Sequence, residues 1–157
     1  MDVYSYTYTR HRVAECPAQV RSPRDTIPVF EALFSGRETE ALVVLCLDSK
    51  NKVIGTEVVY TGNVSASLVR VGELFRMAVR LNAAGIILGH NHPSGDPTPS
   101  PDDLHLTAET IAAGKLLDID VLDHLIFGEQ QPDWSTAWVS LRDRGVTFDR
   151  PGRKGLA

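Results

Sequence analysis

Two histidines stand one residue apart in Gly89-His90-Asn91-His92-Pro93-Ser94-Gly95, and a proline-rich stretch separates them from Asp102 and Asp103. In an extended segment residues i and i+2 point to the same side, so His90 and His92 can grip a single ion. Asn91 then faces away and is read as fixing the turn. Pro93 and Gly95 bend the chain off its strand, and Pro97, Pro99 and Pro101 restrict the loop's unfolded freedom. The loop delivers a carboxylate on the first turn of a helix. Two neutral imidazoles and one carboxylate suit zinc, with the fourth position left for water. Asp103 is taken as the ligand, although spacing alone does not choose between it and Asp102.

An open zinc site brings bound water to a pKa of about 7 and polarises a carbonyl, but it still needs a proton carrier. A carboxylate beside the water would serve. Three acids flank or enter apolar strands: Glu38, Glu40 and Glu57. Glu40 sits at the mouth of a buried run, where a carboxylate has no packing reason to be. Glu57 alternates with Val58 and fits a solvent-facing position equally well. Taken singly, each feature has a plain explanation, a surface histidine pair or a helix entrance. Together they favour a metal site without choosing among peptide, phosphate and other bonds.

The elements that must position these groups are legible in the pattern. Ser22-Pro23 followed by Arg24 to Phe34 reads as a helix, capped by Ser22 and presenting Ile27, Phe30, Leu33 and Phe34 on one face. Ala41 to Leu47 is a nearly continuous apolar run, as in a strand buried on both faces. The turn Asp48 to Asn51 leads to a second strand over Lys52 to Tyr60, which predicts an antiparallel hairpin. Helical spacing returns from Val71 to Leu81. Ile86-Ile87-Leu88 is a short buried strand ending at His90. Ser100-Pro101-Asp102-Asp103 is a strong helix start, and that helix runs to about Leu117. Asp120 to Phe127 is a strand, Gly128 to Asp133 a loop, and Ala137 to Leu141 a last short strand. The order predicts one mixed α/β layer domain. Residues 1–21 form an arm or edge strand, residues 22–146 the domain, and residues 147–157 a flexible basic tail.

The 157 residues are enough for one domain with its own core. Cys16 and Cys46 make no disulfide framework, and Cys46, within an apolar run, reads as a small buried hydrophobe. With no membrane-length apolar run and no signal-peptide core, the expectation is a soluble cytoplasmic protein without a membrane partner. The net charge of −4 argues against tight DNA binding by the domain body. The small basic clusters at Arg10 to Arg12 and Arg150 to Lys154 read as solvated ends.

His90-Asn91-His92-Pro93-Ser94-Gly95, then Pro99-Ser100 and Asp103, resembles the signature of the RadC family in the JAB/MPN superfamily. The metal-dependent members of that superfamily share the JAMM motif: a glutamate, H-x-H, seven residues, then S-x-x-D. Seven residues separate His92 from Ser100 here, and Asp103 follows three later. The resemblance extends to Val121-Leu122-Asp123-His124 and Ser140-Leu141-Arg142 and covers residues 22–146. It implies an α/β (α+β) fold: one mixed sheet with flanking helices, layered as in cytidine deaminases. It implies Zn2+ held by His90, His92 and Asp103, with Glu40 as general base and Ser100 stabilising an oxyanion; the competing reading of Ser100 is a helix cap. Asp123 and His124 match a family Asp-His pair whose plainer reading is a strand end that holds the fold. Longer family members carry a helix-hairpin-helix-like region that residues 1–21 are too few to form, which weakens the traditional DNA-repair label. The leading expectation is a JAMM-type zinc peptidase or isopeptidase acting on a peptide or protein. The rivals are a DNA-repair or mobile-element accessory protein and a non-catalytic peptide-binding module.

Overall fold

A computed structural model describes residues 1–65, 67–130 and 136–148. Five strands form one sheet: β1 (Ala41–Leu47), β2 (Val53–Thr61), β3 (Gly85–Asn91), β4 (Asp120–Gln130) and β5 (Thr136–Ser140). Three α-helices accompany them: α1 (Ile27–Phe34), α2 (Val71–Arg80) and α3 (Pro101–Leu117). The order across the sheet is β2-β1-β3-β4-β5. The β1/β2, β1/β3 and β4/β5 pairs are antiparallel, while β3/β4 is parallel and crosses over through α3. This is the mixed α+β domain that the pattern of apolar runs implied.

The helix expected from Arg24 onward is in two pieces. Pro23–Thr26 forms a 3-10 turn, and α1 begins anew at Ile27. Pro28 has no N–H to give the preceding turn and its ring crowds the carbonyl four residues back, so a continuous α-helix from Pro23 is blocked, while the first turn of a fresh helix accepts it. Residues 1–17 form no helix or strand. The strand β4 runs three residues beyond its expected end at Phe127, into the segment read as a loop. Its backbone finds partners there: Glu129 N donates to Gly95 O at 2.9 Å, and Gln130 pairs with Thr136. Residues 131–133 of that expected loop, and residues 149–157 of the expected tail, lie outside the described residues.

Alternation along the central strands divides the core between two faces. Leu42, Val44 and Cys46 of β1 join Ile86 and Leu88 of β3 against Leu74, Phe75 and Ala78 of α2 and Leu106 of α3. Val43, Leu45 and Leu47 join Ile87, Leu125 and Phe127 against Val29 and Phe30 of α1. Because β1 is covered on both faces and paired on both edges, all seven of its residues are buried. Burial pushes the Cys46 thiol up to about 12, so it packs as a hydrophobe. Phe30 is fully buried and, on general transfer energies, contributes roughly 2–3 kcal/mol. Its ring occupies the space where a Cβ of Gly89 would stand, so only glycine lets α1 approach β3 this closely. Among the described residues no helix is long and apolar enough to cross a membrane.

Topology brings the chemistry together. In the antiparallel β1/β3 pair Leu42 faces His90, so the entrance to β1 and the exit of β3 lie at one end of the sheet. His90 shares a face with Ile86 and Leu88, which is the face that α3 covers.

Candidate metal centre

Glu40 immediately precedes β1 and is half-buried. Asn91 holds the backbone on both sides of it: Ala41 N donates to Asn91 Oδ1 at 2.6 Å, and Asn91 Nδ2 donates to Thr39 O at 3.1 Å. Val64 N donates to Glu40 Oε2 at 2.8 Å, which orients the carboxylate and leaves its other oxygen for the site. The residue between the histidines therefore fixes the acid that must face them. The pattern suggested only that Asn91 fixes the local turn; its partners lie about 50 residues earlier in the chain.

His90 and His92 stand edge to face, with ring centroids 4.6 Å apart. One ligand atom from each of Glu40, His90 and His92 can be chosen so that all lie within 4.8 Å of one another. Asp103 reaches both histidines, with His90 Nδ1 at 3.2 Å from Oδ1 and His92 Nε2 at 3.3 Å from Oδ2. Two ligands at metal–nitrogen lengths near 2.1 Å in a tetrahedral shell stand about 3.4 Å apart. The His–Asp spacings match that distance. Asp102, the other aspartate that spacing allowed, is exposed.

The loop is held as firmly as the strand. His92 N donates to Phe127 O at 2.7 Å, and Gly95 N donates back to His92 O at 3.0 Å. Gly128 lies under this loop so tightly that a Cβ there would overlap Gly95 O and Pro97. His92 Nδ1 is 2.8 Å from Asp96 O, a pure acceptor, so Nδ1 carries the proton and Nε2 presents its lone pair to the centre. Asp103 is also the third residue of a capping box: Asp103 N donates to Ser100 Oγ at 3.1 Å, and Ser100 N donates to Asp103 Oδ2 at 2.7 Å. The cap that starts α3 thereby fixes the rotamer of the carboxylate. Ser100 is a helix cap in this structure, and its oxygen already accepts a bond.

The electrostatics follow from this packing. Burial pushes the Asp103 carboxyl up, yet His90, His92 and the Ser100 N–H together outweigh it and hold the carboxyl well below the usual range. The Asp103 carboxylate raises His92 in turn, against the opposing effect of burial. His90 is 1% exposed, and among the described residues neither ring nitrogen has a hydrogen-bond partner; its contact with Asp103 is close in distance but not directed as one. A buried imidazole with two idle nitrogens is costly unless something else binds it. A divalent cation fits the donor set, since it would take a nitrogen lone pair from each histidine and balance the charge of Asp103.

The rejected acids are accounted for. Glu57 pairs with Arg76 at 2.6 Å, and Glu38 is exposed. Asp123 and His124, read together as a pair, separate. Asp123 bonds to Ser140, Arg142 and a backbone N–H, whereas His124 lies on the metal-centre face with its ring stacked near His90, centroids 6.0 Å apart. A histidine followed directly by the apolar run Leu125-Ile126-Phe127 was the signal available for it.

Beside His92 a cleft of about 470 Å³ opens between the end of α1 and the end of β4, lined among others by Phe34, Arg37, Phe127 and Glu129. Comparison with known proteins places the chain. Residues 20–146 match the RadC-like JAB domain family. A UPF0758 protein of Roseiflexus castenholzii is 50% identical over 133 residues, which is 85% of this chain and 54% of that protein. A UPF0758 protein of Roseiflexus sp. strain RS-1 is 48% identical over 132 residues, covering 84% and 54%. One of Methanosarcina barkeri is 41% identical over 133 residues, covering 85% and 56%. The chain thus spans about half the length of these relatives. On the match to most of its length and on these identities, the chain belongs to the RadC-like JAB domain family.

Proposed function

We propose that this chain is a zinc-dependent hydrolase of the JAMM type, a peptidase or isopeptidase. The observation that carries this reading is the convergence of the buried, unbonded His90 with His92 and Asp103, beside a carboxylate held by the backbone of another strand. His90, His92 and Asp103 would hold the ion, which when bound supplies an activated water and polarises a carbonyl. Glu40 takes the proton of the attacking water and returns it to the leaving amine. The Val64 N–H holds one of its carboxylate oxygens and orients the group at the mouth of β1. Ser100 keeps its own O–H to offer the developing oxyanion while its lone pair caps α3. Phe34, Phe127 and Arg37 in the neighbouring cleft suit the side chains and backbone of an extended polypeptide, and the net charge of −4 favours such a substrate over nucleic acid.

Zinc content and hydrolysis of a peptide library, measured on three proteins, test this. Wild type should carry one zinc and show turnover. His90→Ala should carry none. Glu40→Gln should keep the zinc and lose turnover by at least about 100-fold, as expected for a lost general base. A wild type that takes up no zinc, or a Glu40→Gln protein as active as wild type, refutes the reading.

A further inference from the structure

We infer that His124 is a positioning residue for the metal centre: its Nε2 accepts, through one bridging water, the proton on His90 Nε2, and so fixes the tautomer in which His90 Nδ1 faces Asp103. The inference rests on the metal reading above and goes beyond it, because His124 would touch neither the ion nor a substrate.

Proton bookkeeping gives the first half of the argument. Thr107 Oγ1 donates to Asp103 O at 2.5 Å. A hydroxyl has one proton, so toward His124 Nδ1, 2.7 Å away, the same oxygen must accept. His124 Nδ1 therefore carries its proton, and Nε2 is a bare acceptor. That nitrogen is buried and has no hydrogen-bond partner among the described residues. Thr107 thus sets the tautomer of His124 from the first turns of the helix that bears Asp103.

The second half comes from His90. Its Nδ1 faces Asp103 Oδ1, so Nδ1 must present a lone pair when an ion lies between them. The proton of a neutral imidazole must then sit on Nε2, which is buried and also lacks a partner among the described residues. One buried donor and one buried acceptor of complementary kind lie on the same sheet face. Leu88 pairs with His124 and His90 with Ile126, so the two histidines are diagonal neighbours. Their rings are 30° from parallel with centroids 6.0 Å apart, and a buried water is the usual bridge between neighbouring polar groups that do not bond directly. The arrangement parallels that of His92, whose outer nitrogen is fixed by Asp96 O. Metal-bound imidazoles depend on such outer partners for orientation and basicity.

Two substitutions, His124→Phe and Thr107→Val, separate this role from simple packing, because the second removes only the hydroxyl that sets the His124 tautomer. Zinc affinity is read by competition with a chelator, and the tautomers by nitrogen-15 NMR of the imidazoles in the zinc-loaded protein. Wild type should show His90 bound through Nδ1 with a slowly exchanging Nε2–H. His124→Phe should weaken zinc binding by about 10–100-fold and speed that exchange, with His124→Gln restoring part of the affinity. Thr107→Val should move both readouts in the same direction by a smaller amount. Zinc affinity within twofold of wild type in both His124→Phe and Thr107→Val, or a wild-type His90 bound through Nε2, overturns the inference while leaving the metal centre standing. Absence of zinc uptake by wild type removes the centre itself.

Discussion

Asp123 and His124 are adjacent in sequence, both buried, and opposite in their bonding. Asp123 accepts from His124 N at 2.7 Å, Ser140 Oγ at 2.6 Å and Arg142 N at 3.1 Å. Arg142 Nε also donates to Leu122 O at 2.8 Å, so the turn after β5 is tied to β4. Burial raises the Asp123 carboxyl despite these bonds. One residue on, His124 projects to the other face of the sheet and, among the described residues, leaves Nε2 without a bond, beside His90 with two such nitrogens. A buried polar group whose bonds all close within the fold serves the fold. One whose bonds stay open at a shared centre marks where a ligand belongs. Residue type alone does not separate the two cases.

The largest effect that would break this contrast is on metal-linked stability. Zinc at about 1,000 times its Kd should stabilise wild type by about 4 kcal/mol, read as a shift of the denaturation midpoint. His90→Ala should show no shift, and a comparable shift there would mean that the open nitrogens of His90 do not form the centre. Next, Asp123→Ala should cost about 3 kcal/mol by urea unfolding, since it strips several buried donors of their acceptor. Its folded fraction should still bind zinc as wild type does; a selective loss of zinc would show that the closed network also serves the site.

Acidification sharpens the contrast further. Burial lowers His124 to about 3 from the ordinary 6.5, so between those values the unfolded chain holds a proton that the folded chain excludes. Stability therefore rises with pH across that window, by up to about one proton's worth of slope for this group. In zinc-free protein, His124→Phe should flatten the slope relative to wild type between pH 4 and about 6. An unchanged slope would mean that His124 is not held neutral. The smallest effect belongs to Ser100→Ala, which loses the cap of α3 and should destabilise by about 1 kcal/mol in thermal unfolding. A loss of zinc affinity much beyond what that cost implies would show that Ser100 positions Asp103 more stringently than a helix cap requires.

How far the residues spoke for themselves differs across the molecule. The run Ala41 to Leu47 announced a doubly covered strand because each of its side chains must leave water. Ser100-Pro101 announced the start of α3 because capping is local chemistry. Pro28 split the first helix, an effect of one ring on one carbonyl that the amphipathic spacing concealed. The extension of β4 past Phe127 was hidden for the opposite reason: its partners, Gly95 and Thr136, come from other parts of the chain.

The amino-acid sequence by itself determined the candidate ligand types, their spacing, the rigid loop between them and the helix start that carries Asp103, since all of these lie within the one stretch from His90 to Asp103. Only the tertiary structure decided that Glu40 meets the histidines, that Asn91 clasps the backbone on either side of it, and that Asp123 and His124 part to opposite faces. Those outcomes follow from strand order and register, which are set by burying two sheet faces at once and leave no local periodicity to read.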